Sequence, residues 1–204
     1  DLHSFPTRRS SDLAMTLTMT PLDANFITEI NTVSDLVQLS NEVSIGKTYE
    51  GQTVTLKNDL DLSEIVNFQP IGLSATLPFK GSFNGNHKTI SNLKITTESS
   101  SANYTGLFGY ISGTATSVYD LTLTDCTITS SNDNKTGGIA GFSEGAFTNC
   151  HVTGSVTGQT SVGGIIGNAS NNNVSISGCT FHGSVTAEKA NGGNAGGIVS
   201  LCDS

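Results

Sequence analysis

From Thr53 onward, apolar and polar residues alternate with a period of two. In TVTLKNDLDL at 53–62, Val54, Leu56, Leu60 and Leu62 punctuate a polar background, and Ile90, Leu93 and Ile95 continue the rhythm. This alternation predicts short, half-buried strands. Ser/Asn/Gly-rich stretches at 98–103, 130–136, 168–173 and 187–193 predict the loops between them. One earlier segment follows a different rule. Leu36, Val37, Leu39 and Val43 form a stripe at helical spacing, with Thr32, Ser34 and Asp35 as capping groups and Gly46 as a stop. Residues 14–25 alternate only weakly and predict an extended lead-in.

Two phrases recur in the same order. GLFG at 106–109 returns as GIAG at 138–141, GIIG at 164–167 and GIVS at 197–200. LTDCTI at 123–128 is followed by FTNCHV at 147–152 and ISGCTF at 176–181. Recurrence of this kind predicts a solenoid of stacked, similar turns. The cysteine steps of 24 and 29 residues fit a parallel β-helix better than a leucine-rich repeat. An antiparallel sandwich is the competing all-β reading. About six turns, each adding roughly 4.8 Å, predict a rod on the order of 29 Å. The short helix would cover the open first turn, whose backbone edge would otherwise recruit other chains.

The cysteines sharpen the expectation. Cys126, Cys150 and Cys179 each precede an apolar residue by two positions, so alternation places all three inside, one above another, as reduced core thiols. Two disulfides are the alternative reading of four cysteines, but a column of three cannot pair completely. Cys202 falls outside the column.

Composition and charge then exclude several function classes. Residues 3–13, HSFPTRRSSDL, look like the in-frame translation of a sequencing adapter, so 1–13 are set aside as an artefact. The net charge of −8 is unchanged by this, because Asp1 and Asp12 leave with Arg8 and Arg9. An acidic chain without a basic cluster predicts no nucleic-acid binding. There is no apolar run of transmembrane length. The division expected is 1–13 artefact, 14–48 lead-in and capping helix, and 49–204 repeat region. The last is read as truncated at its C-terminal end, a piece of a larger polypeptide.

YEGQTVTLKNDLDL at 49–62, PIG at 70–72 and FKGSFNGNHKTISNL at 79–93, followed by the GLFG series, resemble GLUG-repeat proteins over about residues 30–200. Departures are Asn84-Gly85-Asn86 where the family often has an aspartate first, and Ser200 in place of a closing glycine. The resemblance implies a right-handed parallel β-helix in a bacterial surface or secreted protein. It further implies an adhesive or spacer role, in some members beside an immunoglobulin A metallopeptidase, with host or cell-surface glycans or proteins as partners.

The search for chemistry points away from catalysis. A peptidase zinc site needs His-Glu-x-x-His, and no His-Glu dipeptide occurs; His87, His151 and His182 read as solvated surface residues. Asp59 and Asp61, with Asp120 and Asp125, are the candidates for a carbohydrate-active acid pair, the alternative function for this chain. Their simpler reading is as outward neighbours of Leu60 and Leu62, and no arginine lies near them. Asn132, Asp133 and Asn134 resemble part of a calcium loop that lacks its downstream carboxylate. Gly137-Gly138 and Gly163-Gly164 read as solenoid corners rather than phosphate cradles. Thr122, Thr124, Thr127 and Thr129 invite an ice-binding reading, which the unequal repeat lengths oppose. Asn103 and Asn134 are sequons by pattern alone. No catalytic, cofactor-binding or metal residue is expected.

Overall fold

The computed structural model describes residues 25–98, 104–113, 115–131, 135–170 and 174–203. The chain begins with β1 (Glu29–Ile30) and the helix α1 (Val33–Ser44). Thr32 caps this helix. Its hydroxyl accepts from the Asp35 amide at 3.3 Å, while the Asp35 carboxylate accepts from the Asn31 and Thr32 amides at 2.9 Å each. The buried face is Leu36, Leu39, Ser40 and Val43. Ile45 closes the helix, and Gly46 turns away at φ 102°.

The remaining strands coil in successive rungs. β2 (Thr53–Leu56) and β3 (Leu60–Asp61) make the next rung. β4 (Ser82–Ser91), β5 (Lys94–Thr97), β6 (Tyr104–Thr105) and β7 (Phe108–Ile111) follow. Then come β8 (Ser117–Ser130), β9 (Lys135–Gly137) and β10 (Ala140–Ser143). The fifth rung is β11 (Ala146–Thr148), β12 (His151–Gly158), β13 (Ser161–Gly163) and β14 (Ile166–Ser170). The last is β15 (Ile176–Ser177), β16 (Thr180–Ala187), β17 (Asn194–Gly196) and β18 (Val199–Asp203).

All named strands pair in parallel with their equivalents in neighbouring rungs, giving a β-solenoid of about six turns. One large sheet runs from β1 through β2, β4 and β8 to β11, β12, β15 and β16; two four-stranded sheets hold β7-β10-β14-β18 and β6-β9-β13-β17. Because β1 already pairs with β2, the large sheet starts ahead of the helix, within the stretch expected to be lead-in. Residues 14–24 of that lead-in, and residues 1–13, lie outside the described residues. Inside the coil the alternating residues form one continuous core, from Ile30 and Leu36 to Ile166 and Ala169. Tyr49, Phe79, Phe108 and Phe83 make an internal aromatic stack, with successive ring centroids 6.0, 5.0 and 5.5 Å apart.

The GLFG-type phrase builds the corner between the two smaller sheets. Its middle residues Leu107, Ile139 and Ile165 are fully buried. The glycines are required by close backbone approach: a Cβ on Gly163 would lie 1.9 Å from the Ile166 carbonyl oxygen.

The cysteine column needs correction. Cys150 and Cys179 do stack, since the residues after them, His151 and Thr180, are register partners. Cys126 belongs elsewhere: its partner on β12 is Gly154, and on the other side Thr127 donates to the Leu93 carbonyl. The true partner of Phe147 is Val118, so VYDLTL at 118–123 is the equivalent of FTNCHV. Each pass across the large sheet turns two similar corners, at Asp120 and at Asp125, both in left-handed conformation (φ 54°). Both corners follow an apolar-x-Asx pattern, and the sequence match took the second for the first. Register partners Val118, Phe147 and Ile176 are 29 residues apart, and the cysteine step of 24 falls short by the five residues between the corners.

Candidate functional site

Asp120 and Asp125 sit at these corners, Asp61 bonds to the corner residue Asn92, and Asp59 bonds to β4 away from them. Asp120, Asn149 and Gly178 occupy one left-handed column, with φ of 54°, 52° and 65°, and Asn149 donates to the Asp120 carboxylate at 3.1 Å. Asn92 and Asp125 begin the other column, and Asn92 donates to Asp61 Oδ1 at 2.8 Å. Asparagine and aspartate tolerate this backbone conformation better than other residues with side chains. Asp61 also accepts from the Ser63 amide at 3.0 Å, and these hydrogen bonds, that from Asn92 first, hold its carboxyl below the usual range. Asp59 accepts from the Thr89 amide at 2.8 Å. Asp59, Asp61 and Asp125 are exposed, Asp120 is partly so, and the four do not converge in a groove.

The histidines are likewise dispersed. His87, His151 and His182 are exposed; His151 shares a 2.8 Å hydrogen bond with Thr180, and His87 lies 3.9 Å from Asp120. Among the described residues, no three His, Cys, Asp or Glu side chains gather as metal ligands. Asn132, Asp133, Asn134 and Asn103 lie outside the described residues, and so does the calcium-loop and sequon reading that rests on them. The threonines are more regular than the repeat lengths implied. Thr96, Thr129, Thr157 and Thr186 form a four-rung register column. The column beside it, Lys94, Thr127, Ser155 and Ser184, is mixed, so no uniform threonine array results.

Sequence reasoning missed a cluster of partly exposed aromatics at the seam of the two smaller sheets. The Tyr110 and Phe142 rings stack at 4.6 Å and 22°, and Tyr104 packs edge-on against Tyr110 at 4.8 Å. Lys135 Nζ lies 5.5 Å from the centre of the Tyr104 ring. Partial burial, with the nearby Glu144 charge and Tyr104, pushes the Tyr110 hydroxyl up to about 12. The only sequence signal was that Tyr110 and Phe142 occupy the same place after GLFG and GIAG. Around the flank from this cluster, Glu50, Gln52, Thr53, Lys80, Ser82 and Ser112 line a shallow polar groove of about 390 Å³.

No family model matches the chain. It is 35% identical over 156 residues to halomucin of Haloquadratum walsbyi, an alignment spanning 72% of this chain and 2% of halomucin. Its fold is similar to the crystal structure of a "putative immunoglobulin A1 protease" from Bacteroides ovatus, with a TM-score of 0.60 and 20% identity. That likeness covers 86% of this chain and 61% of the Bacteroides chain, and at such identity it shows the fold alone. The chain therefore spans a small part of halomucin and less than two thirds of the Bacteroides protein.

Proposed function

We propose that this chain is a non-catalytic, GLUG-type repeat segment of a bacterial surface or secreted protein, and that its flank is an adhesive face for glycans or proteins. The observation that carries this reading is the contrast between two sets of side chains. Asp59, Asp61 and Asp120 accept hydrogen bonds from the neighbouring rung, whereas Tyr104, Tyr110 and Phe142 stand partly exposed on the side of the coil. Contiguous aromatic surface on an otherwise polar body marks a place of contact. The similarities to a halomucin and to an immunoglobulin A1 protease fit a repeat region of a surface or secreted protein.

Glycan-array and whole-cell binding test it. Binding by the wild-type chain that falls at least about tenfold, the loss of one good anchor, in a Tyr110→Ala, Phe142→Ala double variant supports an adhesive face. A folded chain that binds nothing leaves the spacer role as the second reading. Release of reducing sugar from a polysaccharide substrate would overturn the non-catalytic reading.

A further inference from the structure

The corrected register leaves two cysteines, not three, stacked on adjacent rungs. Thr180 donates to the Cys150 carbonyl at 2.9 Å, and the Cys179 sulfur lies 3.4 Å from the Cys150 amide nitrogen. Directly opposed residues of neighbouring strands are separated by about 4.8 Å, within the roughly 4.4–6.8 Å that a disulfide spans between Cα atoms. The objection that a column of three cannot pair therefore disappears. Cys126 faces Gly154 and Cys202 faces Ala169, so neither stands opposite a thiol.

We infer that Cys150 and Cys179 are a cross-rung redox pair that closes to a disulfide and staples the last two turns of the solenoid. Their exposure sets the order of events. Cys150 is fully buried and hydrogen-bonds to the Val118 and Thr148 carbonyls at 3.4 and 3.5 Å, whereas Cys179 is partly exposed. The hydrogen bond from Cys150 also lowers the Cys179 thiol to about 7 and raises that of Cys150, which favours the thiolate at the accessible position. With a small disulfide such as oxidised glutathione as oxidant, Cys179 attacks one sulfur and releases the first thiol. Cys150 then attacks the Cys179 sulfur of the mixed disulfide, its proton leaves, and the second thiol departs. Two protein thiols are oxidised and one glutathione disulfide is reduced to two thiols, so electrons and atoms balance. An oxidising extracellular setting would keep the pair closed.

The test uses trypsin. No lysine or arginine lies between Lys135 and Lys189, so the peptide 136–189 contains Cys150 and Cys179 and no other cysteine, while Cys126 and Cys202 fall in separate peptides. The full chain is oxidised with glutathione disulfide, alkylated with iodoacetamide under denaturing conditions, digested without reductant and weighed. The expected result is peptide 136–189 unalkylated and two hydrogens lighter than its dithiol form, with the peptides of Cys126 and Cys202 alkylated or capped by glutathione. Cys179→Ser should leave Cys150 fully alkylated, and Cys126→Ser should leave the bridge intact. Double alkylation of peptide 136–189 in the oxidised wild type, or a bridge from Cys150 or Cys179 to Cys126 or Cys202, overturns the proposal. Oxidation should also raise the melting temperature, and dithiothreitol should reverse the rise.

Discussion

At Gly138, Gly164 and Gly197 the same residue type in equivalent rungs meets three different surroundings. A Cβ on Gly138 would lie 2.3 Å from the Gly164 carbonyl oxygen, and one on Gly164 would lie 2.1 Å from the Gly197 carbonyl oxygen and 2.3 Å from the Phe181 ring. On Gly197 it would meet nothing within 4 Å, because none of the described rungs lies beyond it. Gly164→Ala should therefore cost about 4 kcal/mol or prevent folding, whereas Gly197→Ala should change stability by less than about 0.5 kcal/mol, measured by urea denaturation. The thiols give a second contrast. Burial pushes Cys126 up to about 11, while Cys179 is lowered to about 7. Iodoacetamide should label Cys179 at lower pH than an ordinary thiol and leave Cys126 unlabelled in the folded chain, read by peptide mapping across pH 5–9. These distinctions were not legible in the sequence. The repeated phrases revealed that rungs stack, but two look-alike corners per pass hid which residues stack on which. Asp120 and Asp125, which read as candidate acids, are suited to these corners by their tolerance of positive φ.

Among elements, α1 was the most legible, because capping groups, stripe and stop all agree. Thr32→Ala should lower stability by about 1 kcal/mol through loss of the cap. The Asp35 carboxyl lies below its ordinary value, chiefly through the Asn31 amide, so its contribution is present above the unfolded pKa and fades as pH falls through the folded one. Acid titration followed by circular dichroism should show Asp35→Asn less stable than the wild type at neutral pH and converging with it once the pH has fallen below the ordinary aspartate range. What the pattern did not foretell is how the helix is fastened. Lys47 and Glu42 pair at 3.3 Å with side chains only 7% and 13% exposed, and the Tyr49 hydroxyl donates to the same carboxylate. Ser40 adds a 2.8 Å bond to the Gln69 carbonyl. Glu42→Gln leaves Lys47 buried without its counter-charge and should cost about 3 kcal/mol, more than the loss of the cap. An apolar stripe carries no mark of such polar contacts.

The first and last described rungs of the coil differ. The helix covers the first rungs, whereas Cys179, Phe181, Val185 and Ile198 of the last rung are only partly buried. Stability in such an array is a sum over rungs and their interfaces. Native-state hydrogen exchange should therefore be slowest in β8 and β12, which have rungs on both sides, and fastest in β16 and β18. Uniform protection along the coil would contradict this. The all-β solenoid was legible at this scale because rung stacking is a periodic property. The aromatic seam was not, since it joins Tyr104 to Tyr110 and Phe142 across two sheets.

Register partners on the named strands of neighbouring rungs lie as few as 26 residues apart (Glu29 with Thr55, Ala140 with Ile166) and as many as 35 (Phe83 with Val118). The strands keep step regardless, since differences in length are taken up at irregularities such as that between Asn84 and Lys88 in β4 and in turns such as that between β16 and β17. Length is thus free to drift at the margins while the spine holds its pitch. A foreign epitope spliced into the exposed turn at 190–192, between β16 and β17, would be carried on the outside, with the backbone ladder behind it unchanged.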